Sequence, residues 1–216
     1  MRYGLVIFDC DGVLVDSERL VCRVESEHMS ELGVALDPQA TSALLMGKTL
    51  DQVLSSIEEK LGRALSPAWS YRLAMSVASA FVRELQPVPL VRQVLERLQR
   101  HAAPMCVASQ SLLPRVRLSL RVTGLDAFFG ERVYTASMVA RPKPAPDLFL
   151  YAATQMGVEP SACAVIEDSP SGVTAARAAG MTVFGYAGSE EPAPLARAGA
   201  RVFASMADLP ELLGLD

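Results

Sequence analysis

The run Tyr3-Gly4-Leu5-Val6-Ile7 leads straight into Phe8-Asp9-Cys10-Asp11-Gly12-Val13-Leu14-Val15-Asp16-Ser17-Glu18. A short apolar run that stops abruptly at an acid reads as a β-strand ending at Asp9. Two carboxylates, Asp9 and Asp11, then stand one residue apart at the strand tip. Acids this close repel unless something cationic compensates. A divalent metal is the usual solution, and phosphate chemistry is its usual purpose. Gly12 allows a sharp departure from the strand.

Beyond this motif the chain has two rhythms. From Ser17 to about Ala80 it reads as helix after helix. Leu20, Val21, Val24, His28 and Leu32 recur at helical spacing, as do Leu50, Val53, Leu54, Ile57 and Leu61. Pro87-Val88-Pro89 marks a break. After it, strands expected at Met105–Ala108, around Val133, at Ala162–Ile166, Thr182–Tyr186 and Val202–Phe203 alternate with helices. Those helices are expected at Leu90–Leu98, Leu113–Leu120, Asp147–Met156 and Gly172–Ala179. Such alternation predicts an α/β fold with a Rossmann-like parallel sheet and helices on both faces. The first strand belongs to that sheet, which makes the helical block an insertion. The expected division is a core of residues 1–15 and 89–216 and a helical cap of residues 16–88. Glu191-Pro192-Ala193-Pro194 reads as a surface turn.

Composition excludes several classes. Among 216 residues, 50% are hydrophobic and 20% charged, the balance of a globular chain. The net charge of −4 argues against a nucleic-acid partner. No stretch approaches the roughly 20 apolar residues of a membrane span, and the first residues lack the pattern of a signal peptide. The four cysteines, Cys10, Cys22, Cys106 and Cys163, fit neither a zinc set nor a disulfide framework. A reducing cytoplasmic setting is expected. Cys10 is expected to be a small apolar residue, since flanking carboxylates disfavour a thiolate.

Parallel sheets bind ligands at the carboxyl ends of their strands. Four clusters fall there: Asp9 with Asp11; Ser109-Gln110-Ser111; Arg141-Pro142-Lys143 through Asp147; and Glu167-Asp168-Ser169. Singly, each has a plainer explanation: a turn, a helix cap, a solvated lysine, a helix start. Together, in this order, they supply a nucleophile, a hydroxyl donor, a fixed cation and a metal carboxylate. Phosphoryl transfer needs that set.

Carried by these four clusters from Tyr3 to Phe203, the chain resembles the haloacid dehalogenase-like hydrolases, and within them the β-phosphoglucomutase-like, helical-capped subfamily. The resemblance implies that Asp9 attacks phosphorus and that Asp11 protonates the leaving group and then activates water. It assigns the second-motif hydroxyl to Ser109 and the third-motif lysine to Lys143. It implies Mg²⁺ as cofactor, held by Asp9, Asp11 (through its backbone carbonyl), Glu167 and Asp168. Ser17, Glu18, Lys48, Ser109, Gln110 and Lys143 are the expected substrate contacts. Lys48, in Gly47-Lys48-Thr49, matches the cap loop that reaches the site.

Two departures refine this expectation. Gln110 stands where the family often has asparagine. Val21 stands where the sugar phosphomutases carry a histidine, and His28 lies one helical face away and is expected to pack or cap. The expected activity is therefore Mg-dependent hydrolysis of a small phosphate ester, a sugar or sugar-acid phosphate, through a phosphoaspartyl intermediate. A phosphomutase and a non-catalytic phosphate-ester binding module are the alternatives. The expected enzyme is a monomer acting on a small molecule.

Overall fold

In a computed structural model, the described residues are 2–33, 50–188 and 191–215. Six strands form one sheet: β1 (Leu5–Phe8), β2 (Met105–Ser109), β3 (Val133–Thr135), β4 (Cys163–Glu167), β5 (Thr182–Tyr186) and β6 (Arg201–Phe203). The order is β3-β2-β1-β4-β5-β6, and every pairing is parallel. The chain builds outward from β1 on one side, then returns to build the other side from β4. Where it reverses, between β1 and β4, neighbouring crossovers diverge and leave a crevice above the strand ends.

The strands are apolar throughout because both faces are covered. Val6 and Phe8 of β1, Met105 and Val107 of β2, and Ala164 and Ile166 of β4 enter one apolar cluster. The intervening Leu5, Ile7, Cys106, Ala108, Cys163 and Val165 enter a second. Alternation along a strand thus feeds two layers of helices. The first cluster is completed by α4 (Val91–Arg100), α5 (Leu113–Val122), α6 (Asp126–Phe129) and α10 (Leu209–Leu212). The second is completed by α7 (Asp147–Met156), α8 (Pro170–Ala178) and α9 (Ala193–Ala198). In α4, Val91, Val94, Leu95 and Leu98 make a buried stripe at helical spacing.

The segment between β1 and α4 holds α1 (Glu18–Glu31), α2 (Leu50–Leu61) and α3 (Pro67–Glu84), and among its described residues no strand. Ser66 caps α3, its hydroxyl accepting from the Trp69 amide at 3.2 Å, and Pro67 follows at the first turn. Helices α1 and α3 pack together, and α3 packs on α5. Val24, Met29, Ile57, Leu73 and Phe81 belong to the same apolar cluster as Phe8. The segment leaves and re-enters the sheet-bearing part side by side. The Asp16 amide donates to Gln86 O, and the Val88 amide to Leu14 O, both at 3.0 Å.

Boundaries differ locally from expectation. Leu90 precedes α4 rather than opening it, with a left-handed φ of 68°. Helix α8 starts at Pro170, two residues early, and Ala162 belongs to a 3-10 turn before β4. The expected surface turn at 191–194 is the approach and first turn of α9, because prolines are tolerated where amides lack helical partners. Residues Gly47-Lys48-Thr49, including the expected substrate contact Lys48, lie outside the described residues.

Candidate active site

The four motif clusters converge at the crevice between β1 and β4. Asp9 is the first residue past β1, and its amide donates to Ile166 O at 2.9 Å. Lys143 reaches under it. Its Nζ donates to Asp9 Oδ1 at 2.6 Å, Glu167 Oε1 at 2.6 Å and Ala108 O at 3.0 Å. An ammonium has three protons, so all are assigned and the side chain has one orientation. Lys143 is only 2% exposed and also stands 4.8 Å from the Phe149 ring centroid. Its pKa is raised: burial opposes the charge, but Asp9 and Glu167 outweigh it.

Glu167 ends β4 and is fully engaged. Its Oε2 accepts from the Asp168 amide at 3.0 Å, the Ser169 amide at 2.9 Å and the Ser169 hydroxyl at 2.9 Å. The Ser169 hydroxyl in turn accepts from the Gly172 amide and caps α8. This packing sets a steric condition. A Cβ on Gly172 would lie 1.8 Å from Glu167 Oε1, and one on Gly12 1.7 Å from Asp168 Oδ2. Gly12 also has a φ of +75°, strained for any residue with a Cβ. Gly172→Ala is accordingly expected to displace Glu167 and loosen Lys143. Activity should fall about 100-fold, since misplacing a reacting group by about 1 Å costs that much. Steady-state kinetics beside an unfolding curve checks this; unchanged kcat in a folded Gly172→Ala protein would refute it.

Asp11 is held differently. Its Oδ1 accepts from the Ser17 hydroxyl at 2.5 Å and Arg115 Nη2 at 3.2 Å, and its Oδ2 from the Ser111 hydroxyl at 2.6 Å. Ser17 sits at the N-cap of α1 but gives its hydroxyl to Asp11 instead of the helix. Burial alone would raise the Asp11 pKa, but Arg115, Ser111 and Ser17 together hold it below the usual carboxylate value.

The remaining acids lean the other way. Burial pushes Asp9 up to about 7 despite Lys143, with Glu167 and Asp11 adding to the rise. Burial, Glu167, Asp9 and Glu18 push Asp168 well above the ordinary value. With every acid ionised the cluster would carry more negative charge than Lys143 balances, a crowding that a hard divalent cation with oxygen ligands would relieve. Among the described residues, no three His, Cys, Asp or Glu side chains are arranged to hold a metal by themselves. The available donors are the Asp9 and Asp168 carboxylates and the backbone carbonyl of Asp11, while Glu167 is turned toward Lys143 and its own loop. Cys10 is buried, and burial with the two aspartates raises its thiol pKa well above normal, as expected of a packing residue.

A cavity of 510 Å³ opens above these groups, within the range of small-ligand sites. It is lined by Asp9, Asp11, Ser17, Glu18, Ser109, Gln110, Lys143, Glu167 and Asp168, so every expected site residue except Lys48 is brought together. Val21 and Glu25 of α1 and Gln52 of α2 form the other wall. His28 is not in that wall. It is buried, with Nε2 2.9 Å from the Ser76 hydroxyl and its ring edge-on to Trp69. Sequence reasoning missed Arg115, Glu25 and Gly172. Glu25 had a signal, being an acid within the apolar stripe of Val21, Val24 and His28. Arg115 and Gly172 had none, because what they touch lies far away in the chain or is fixed by backbone geometry.

Comparison with known proteins follows the same lines. Residues 3–180 match the family model of haloacid dehalogenase-like hydrolases. A fructose-1-phosphate phosphatase of Escherichia coli is 36% identical, covering 83% of this chain and 94% of its own. A 6-phosphogluconate phosphatase of the same organism is 28% identical over 98% of this chain and 95% of its own. A family hydrolase from Deinococcus radiodurans, crystallised with bound phosphate and sodium, superposes with a TM-score of 0.81. It is 34% identical and covers 99% of this chain and 97% of its own. The chain belongs to the haloacid dehalogenase-like hydrolases, as an enzyme that hydrolyses phosphoric monoesters.

Proposed function

We propose that the enzyme hydrolyses a small phosphorylated metabolite, a sugar or sugar-acid phosphate, through a phosphoaspartyl intermediate on Asp9, with Mg²⁺ as cofactor. The observation that carries this reading is the buried Lys143, which fixes the Asp9 carboxylate at 2.6 Å beneath an open cavity. An Asp9 oxygen attacks phosphorus in line, and the ester oxygen departs with a proton from Asp11. Water, giving its proton back to Asp11, then cleaves the acylphosphate and releases inorganic phosphate. The Asp11 carboxyl must leave its grip on Arg115 to take up the first proton, since that grip favours the ionised form.

Lys143 lowers the repulsion between a carboxylate nucleophile and an anionic ester. Glu167 positions Lys143 rather than touching the reacting atoms. Ser109, buried with its hydroxyl accepting from the Ser111 amide, and Gln110 border the phosphate's place in the cavity. Asp9, Asp168 and the Asp11 carbonyl would hold the magnesium, which when bound neutralises the phosphoryl oxygens. Val21 in the cavity wall carries no proton, which favours hydrolysis over isomerisation. The helices between residues 16 and 88 serve as a cap over the cavity and set specificity, with Lys48 reaching the substrate's distal end. The enzyme acts as a monomer in the cytoplasm, where its four buried, free cysteines suit a reducing environment.

Phosphate release from a panel of sugar and sugar-acid phosphates, with product analysis for isomers, tests this reading. Excess chelator is expected to remove activity and magnesium to restore it. Calcium should not restore it, because its larger, looser shell misplaces the nucleophile. Full turnover in chelator rejects the metal.

A further inference from the structure

Glu25 is not accounted for by the reaction. It lies on α1, 6% exposed, and its Oε2 is fully covered yet accepts no hydrogen bond from a described residue. A carboxylate buried for structural reasons normally has its acceptors filled, because leaving one bare costs its hydration. Glu25 instead lines the catalytic cavity along with Asp9, Asp11 and Lys143. It also lines a neighbouring apolar cavity of 280 Å³, walled by Val53, Leu73, Val77 and Phe81. Arg115 of α5 borders the same two spaces. Its Nη2 is committed to Asp11 and its guanidinium lies over the Phe81 ring, 5.2 Å from the centroid. Its Nε is buried without an acceptor among the described residues. Glu25 and Arg115, one with an acceptor and the other with a donor unfilled among the described residues, thus border one space beside the nucleophile. An alcohol, which both donates and accepts, satisfies the two together.

We propose that Glu25 is a specificity-determining residue that accepts a hydrogen bond from a hydroxyl on the distal part of the substrate, with Arg115 Nε donating to the same end. The favoured substrates are uncharged polyhydroxylated phosphate monoesters. Esters with a distal carboxylate are disfavoured, because that group cannot donate to Glu25 and the Arg115 charge already serves Asp11. This rests on the phosphatase reading and narrows it.

The test compares sorbitol 6-phosphate, 6-phosphogluconate and p-nitrophenyl phosphate as substrates of the wild type, Glu25→Gln and Glu25→Ala, all with magnesium. The first two differ at C1, hydroxymethyl against carboxylate. The wild type should prefer sorbitol 6-phosphate. In Glu25→Ala the kcat/KM ratio of sorbitol 6-phosphate to p-nitrophenyl phosphate should fall about 10- to 100-fold, through KM, as for loss of a hydrogen bond to a charged group. The ratio of 6-phosphogluconate to sorbitol 6-phosphate should rise. Glu25→Gln, which keeps an acceptor, should lie between. Equal losses on sorbitol 6-phosphate and p-nitrophenyl phosphate in both variants, or a wild type that prefers 6-phosphogluconate, overturn the proposal while leaving the phosphatase reading intact. A wild type that hydrolyses none of the three and no other ester overturns both.

Discussion

Asp9→Asn should eliminate turnover while leaving the fold in place. The amide has no anionic oxygen to attack phosphorus and is a poor ligand for magnesium, so the covalent step is lost rather than slowed. Removing a nucleophile costs on the order of a millionfold in enzymes where it has been weighed. Residual rates here should fall below detection. Stability should change little, because Asp9 lies past the end of β1 and a neutral amide escapes the burial penalty that raises its pKa to about 7. Kinetics and thermal unfolding of the same preparation check both halves. A rate within tenfold of wild type would remove Asp9 from the mechanism.

Lys143→Met should lose both activity and stability. Lys143 is the cation shared by Asp9 and Glu167, and without it two buried carboxylates face one another. Breaking a buried pair by deleting one partner costs about 3–5 kcal/mol. That cost should depend on pH in a fixed direction. Deleting the lysine removes an influence that lowers the Asp9 pKa, so the folded value moves further above its unfolded value. A carboxylate with a raised folded pKa favours the folded state when protonated. The deficit should be smallest below the ordinary carboxylate range and grow as pH rises through 7 and beyond. Urea unfolding of wild type and Lys143→Met at pH 5 and pH 8.5, in metal-free buffer, measures it. Equal deficits at both pH values would mean that the lysine does not hold these carboxylates apart electrostatically.

The sheet and the motif acids were legible because they depend on local pattern. Leu5–Phe8, Met105–Ser109 and Thr182–Tyr186 are short, mostly apolar runs, and burial on two faces leaves them little alternative. Asp9, Ser109, Lys143 and Glu167 fall at strand ends or in the loops beyond them, where a parallel sheet gathers what its strands carry. Short helices such as Asp126–Phe129 and Leu209–Leu212 escaped, since a single turn has too few residues to show a period. What Glu167 does escaped for another reason. The family resemblance implies a metal ligand there, while its hydrogen-bond partners are the Asp168 and Ser169 amides and Lys143, 24 positions away in sequence. Arg115 is one of many surface-type arginines until α5 brings it to Asp11, 104 positions away.

The paired backbone bonds joining Leu14 and Asp16 to Val88 and Gln86 have an evolutionary meaning. Because the helical segment departs and returns at one hydrogen-bonded ribbon, its length can change without moving the strands on either side. The ends are already together, so replacing everything between them adds little closure entropy. On the proposed function, lineages could exchange the part assigned to the alcohol while inheriting the strand-end residues assigned to the phosphorus–oxygen bond. A chimera spliced within Leu14–Asp16 and Gln86–Val88 that keeps a serine at position 17 beside Asp11 should change substrate ranking while still hydrolysing p-nitrophenyl phosphate.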